Sequence, residues 1–98
     1  MLKSLRSRLL NQVNKLQYFT AKWCGPCRFF KPHILELQEE GYDIEIHDID
    51  ESPEKSSEYQ VMSVPTLVFE RDTKVYARTS GVIPKSEVAK ALDWEPGS

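Results

Sequence analysis

Residues 16–30, LQYFTAKWCGPCRFF, constrain this chain more tightly than any other segment. LQYFTA (16–21) is a short, aromatic-rich apolar run and reads as a strand. From Cys27 to about Glu40, the residues Phe30, Ile34, Leu35 and Leu37 form an apolar stripe at helical spacing, and Gly41 ends the pattern. Pro32 sits inside that helix and is expected to bend it. The corner between strand and helix is WCGPC, Trp23–Cys27, and it holds the only two cysteines of the chain. Whatever the fold, two thiols must be seated where a strand hands over to a helix.

The rest of the sequence supplies the frame. YDIEIHDID (42–50) places Ile44, Ile46 and Ile49 on a second strand. Ser52 is a candidate N-cap, with Pro53 at the first position of a short helix. PTLVFE (65–70) is a third strand, RDTK (71–74) a polar turn and VYARTSG (75–81) a fourth strand. A last helix covers 84–94, with Val88, Ala91, Leu92 and Trp94 on or near one face. A first helix over residues 2–14 is expected from Leu2, Leu5, Leu9, Val13 and Leu16, with Leu10 beside them. The order α-β-α-β-α-β-β-α predicts one α/β domain: a parallel pair joined by a right-handed crossover, an antiparallel hairpin, and helices on both sheet faces. The 98 residues then divide into the N-terminal helix (1–14), a core (15–93) and a loose tail (94–98).

Charge narrows the partners. The net charge of −2 gives no general case for nucleic acid. Residues 1–35 nevertheless carry seven bases and no acid, so one end or face is expected to be basic. No apolar run approaches a membrane span. The opening MLKSLRSRLLNQVNKL is too polar for a signal-peptide core. Its Arg/Ser-rich, acid-free character resembles a transit peptide. It reads as a surface helix instead, because it runs without a break into the first core strand. A cytoplasmic location is the matching expectation.

Two cysteines are too few for a structural zinc site, which takes four ligands. His33 and His47 lack the usual paired spacing, so no metal is expected. A structural disulfide across two residues would close almost no loop. A redox pair remains. At a helix entrance, unpaired backbone N–H groups and the helix dipole favour an anion, which lowers a thiol pKa. Cys24 is thus expected to be the exposed nucleophile and Cys27, one turn on, the resolving thiol. Gly25 leaves room for an incoming disulfide, and Pro26 fixes φ where its missing N–H costs nothing. Lys22 and Arg28 flank the motif and would support a thiolate by charge.

WCGPC resembles the signature of the thioredoxin family. Pro32 is similar to the proline that bends that family's active-site helix, and SVPT (63–66) to the loop whose proline is cis. Ser80 and Gly81, followed by VIPKSEVAKAL, resemble the family's last strand end and final helix. The likeness covers about residues 15–93. It implies a thioredoxin-like fold and reduction of protein disulfides by dithiol–disulfide exchange. It implies no cofactor, and a thioredoxin reductase to recharge the pair. An extended substrate would lie across Trp23, Gly25, Pro26, Val64, Pro65 and Gly81, with Met62, Val64 and Val82 framing an apolar rim. A monomer is expected.

The departures from the family pattern are specific. The buried aspartate usual six residues before the first cysteine is Tyr18 here, and its neighbouring lysine on the next core strand is Ile46. The usual tryptophan four before that cysteine is Thr20. The family's first strand is missing, so the central mixed sheet should have four strands. Loss of the Asp–Lys pair together is consistent with the cost of a lone buried charge. Tyr18 is read as core, and Trp23 as a substrate-facing ring. Two rival roles are a glutaredoxin-like electron donor to an enzyme such as ribonucleotide reductase, and a non-catalytic binding module of the kind a phage could carry. The Gly-Pro dipeptide and the lack of Gly-Gly after the last strand argue against the first.

Overall fold

The computed structural model describes residues 13–97. Strand β1, Asn14–Thr20, is central and almost wholly buried. It pairs in parallel with β2, Ile44–Asp48, and antiparallel with β3, Thr66–Arg71. Strand β4, Lys74–Ser80, extends the sheet antiparallel to β3, giving the order β2-β1-β3-β4. Among the described residues the sheet is mixed and four-stranded, as the sequence led one to expect. Asp72 and Thr73 both take positive φ in the β3–β4 turn, which matches the right-handed twist of a tight hairpin.

Helix α1, Gly25–Glu39, and helix α3, Lys85–Leu92, cover one sheet face. Alternation along the strands sends Leu16, Tyr18, Leu67 and Phe69 to this face, against Phe30, Ile34 and Leu37 of α1 and Val88 and Leu92 of α3. Tyr18 and Phe30 meet edge to face, with ring centroids 5.7 Å apart. Helix α2, Pro53–Glu58, starts at Pro53 and leads to Tyr59, whose ring packs against Phe19 on the opposite face. That face also buries Glu70, which accepts hydrogen bonds from Gln17 Nε2 and Tyr59 Oη.

Several expectations are corrected. The proposed helix over residues 2–14 lies outside the described residues apart from Val13 and Asn14, and Asn14 belongs to β1. Leu16, assigned to that helix's stripe, is a fully buried strand residue. Its spacing matched both patterns, and pairing with Ile44 and Phe69 decides for the strand. Helix α1 begins at Gly25 rather than Cys27, because Cys24 caps it and Pro26 fits its first turn. Pro32 lies inside this helix, as its sequence position predicts. Leu35 is 41% exposed: residues 30, 34 and 37 share a face, and 35 falls about 100° away from 34. Trp94 lies beyond α3, stacked on Tyr76 at 4.5 Å.

Candidate active site

Strand β1 ends at Thr20, and the chain turns through Ala21–Cys24 into α1. The turn is closed by Cys24 N–H donating to Ala21 O at 3.1 Å. Cys24 is the N-cap of α1, and its Sγ accepts a hydrogen bond from Cys27 N–H at 3.3 Å. That bond satisfies one of the donors a helix start leaves unpaired. One turn separates the two cysteines, their Cα atoms are 5.3 Å apart, and they are joined as a disulfide.

The expectation of an exposed Cys24 is corrected. Cys24 is 4% exposed and Cys27 3%. Both pack with Ala21, and Ile49 and Val64 close over them. Cys24 Sγ lies 3.8 Å from the Val64 carbonyl oxygen. Exposure belongs instead to the surrounding residues Lys22, Trp23, Gly25, Pro26 and Arg28. A Cβ built on Gly25 would meet nothing within 4 Å, so the space above the disulfide is open there.

A second loop abuts the motif. The Val64–Pro65 peptide bond is cis, and Pro65 is buried. Thr66 Oγ1 donates to Ser63 O at 2.6 Å, and Gly81 N–H donates to Pro65 O at 2.9 Å. Gly81 has φ +87°, a backbone that favours glycine. It ties the end of β4 to the Pro65 loop and leaves Val82 half-exposed. Met62 is 92% exposed and Trp23 65%. The positions assigned from the sequence therefore come together at one end of the sheet.

The acidic stretch 48–54 contributes directly to the site. Asp50 Oδ2 accepts from Trp23 Nε1 at 2.8 Å, and Glu51 pairs with Lys22 Nζ at 2.9 Å. Glu51 holds the Lys22 ammonium above the usual lysine value. Asp48 Oδ1 accepts from the backbone N–H groups of Asp50 and Glu51. The loop after β2 thus clasps the loop after β1. Parallel neighbours place their carboxyl ends together, which is the signal that could have found it. His47 lies 2.6 Å from Gln17 Oε1 and stacks on Phe19. Burial pushes its imidazole pKa down.

Beneath the motif, Tyr18 and Ile46 are register partners across β1 and β2. Tyr18 is fully buried, and its hydroxyl finds no hydrogen-bond partner among the described residues; the Thr20 side chain is near but outside bonding geometry. Burial pushes the Tyr18 phenol up. Among the described residues no helix is long and apolar enough to cross a membrane.

Residues 3–94 match the thioredoxin family model. The chain is 41% identical over 78 residues to the thioredoxin of Listeria monocytogenes, covering 76% of each chain. It is 39% identical over 82 residues to that of Staphylococcus epidermidis, covering 81% of this chain and 79% of the relative. The structure superposes on Fasciola hepatica thioredoxin with TM-score 0.74 and 30% identity, over 93% of this chain and 88% of that one. The Cys24–Cys27 pair lies within the matched span: the chain belongs to the thioredoxin family and is a thiol–disulfide oxidoreductase.

Proposed function

We propose that the chain works in the reducing direction on protein disulfides, with Cys24 as the attacking thiolate and Cys27 as the resolving thiol. The observation that carries the assignment is Cys24 at the N-cap, its sulfur receiving the Cys27 N–H. A helix start favours negative charge, and a thiolate is the attacking species. Cys24 S⁻ attacks one sulfur of the substrate disulfide, and the other leaves as a thiolate. Cys27, once deprotonated, attacks Cys24 Sγ and releases the second substrate thiolate. Two electrons pass to the substrate, and the Cys24–Cys27 bond remains.

The substrate segment lies across Trp23, Gly25 and Pro26 on one side and Val64, Pro65, Gly81 and Val82 on the other. The exposed Trp23 ring and the Val64 carbonyl beside Cys24 support this reading. Lys22 and Arg28 tune the thiolate by charge, Arg28 more strongly because Lys22 is already paired with Glu51. The role requires a thioredoxin reductase to return two electrons. It suits a monomer in the cytoplasm, where thiols are kept reduced. Reduction of insulin by dithiothreitol, followed by turbidity, tests the function. Wild type accelerates precipitation and Cys24→Ser does not; equal acceleration by both overturns the proposal.

A further inference from the structure

Cys27 must lose a proton before it can attack, because the thiol form is a poor nucleophile. The floor of the site offers no acceptor. Ile46 cannot titrate, and burial holds Tyr18 in its phenol form. An acceptor must reach Cys27 from another side.

A cleft of about 310 Å³ opens beside Cys27. It has room for several waters, each of which takes about 30 Å³ in the liquid. The charged groups facing it are Lys22, Arg28 and Lys31 from the active-site loop and α1, and Asp48 and Glu51 from the end of β2 and the loop after it. Glu51 is committed to Lys22. Asp48 is not. It is half-buried, and among the described residues only its Oδ1 is used, by two backbone N–H groups. The two-residue period of a strand puts Asp48 on the same face as Ile46, one pleat nearer the motif. Its register partner is Thr20, the last residue of β1 before the motif's loop.

We infer that Asp48 is the proton acceptor for Cys27, acting through water in this cleft. The inference rests on the proposed exchange chemistry. Within the mixed disulfide, the Cys27 thiol gives its proton to a cleft water, which passes one to the Asp48 carboxylate. Cys27 S⁻ then forms a bond to Cys24 Sγ. The Cys24–substrate bond breaks, and its electron pair leaves with the substrate sulfur. Asp48 releases the proton to solvent.

Asp48→Asn tests this, since asparagine keeps an Oδ1 acceptor for the two N–H groups and removes the base. The two steps are separated by stopped flow with a fluorescence-quenched disulfide peptide across pH 6–10. Mixed-disulfide formation at Cys24 should be unchanged. Resolution by Cys27 should slow about tenfold near pH 6–7, less than a full general-base effect because water competes. The deficit should vanish at high pH, where Cys27 ionises unaided. An unchanged resolution rate overturns the inference, and so does an equal slowing at every pH, which marks a structural role. If wild type forms no mixed disulfide, the exchange chemistry itself fails, a result distinct from either.

Discussion

At the scale of the residue, Cys24 is defined by what surrounds its sulfur rather than by exposure. It sits at 4% exposure, on the helix start, beside the Val64 carbonyl. The charges near it are unequal. Lys22 is drawn to Glu51, whereas Arg28, in the first turns of α1, has no ion pair among the described residues. Arg28→Gln should therefore raise the Cys24 thiolate pKa by about half a unit, the size of a solvent-screened Coulomb interaction over several ångströms. Lys22→Gln should raise it less. Thiolate absorbance titration of the reduced protein checks both, and a larger effect at Lys22 contradicts the assignment. The cysteines were legible in the sequence because WCGPC is local chemistry. Trp23–Asp50 and Lys22–Glu51 were not, because each joins residues almost thirty positions apart.

At the scale of the element, α1 is fastened at both ends. Its start is capped by Cys24, and just past its end Tyr42 Oη donates to Asp93 Oδ2, following α3, at 3.1 Å. Tyr76 Oη on β4 donates to Ala91 O of α3 at 2.8 Å. Burial is the main cause that pushes both phenols from 10.0 to about 12, with Asp93 adding to the shift at each. The fold thus prefers the protonated phenol. That contribution is complete below about pH 10 and is lost as pH rises towards 12. The urea midpoint should fall over that window, and Tyr42→Phe with Tyr76→Phe should remove part of the fall. An unaltered slope in the double variant would sink the claim. Periodicity and helix-start signals together found every described strand and helix, but packing set the edges. Leu16 fitted a helical stripe and a strand equally, and only its neighbours on β2 and β3 settle it.

At the scale of the whole molecule, charge along the chain is not charge in space. The first 35 residues hold seven bases and no acid, yet acids from later elements pair with two of those bases. Lys15 meets Glu45 and Asp43, and Lys22 meets Glu51. The expected basic face is therefore compensated at Lys15 and Lys22, whereas Arg28 beside the motif keeps no ion pair among the described residues. The sheet brings the loops after β1 and β2, the Pro65 loop and the end of β4 to one place, so the disulfide is overlooked by all four. Family likeness made that convergence legible in advance; the contents of the cleft beside Cys27 depended on side-chain placement. The most direct test of the exchange chemistry is mass-spectrometric mapping of the adduct formed by reduced Cys27→Ser with a disulfide-bearing protein. A stable mixed disulfide at Cys24, released by dithiothreitol, is the predicted result. No adduct, or an equal adduct at Cys27 in the Cys24→Ser variant, would contradict it.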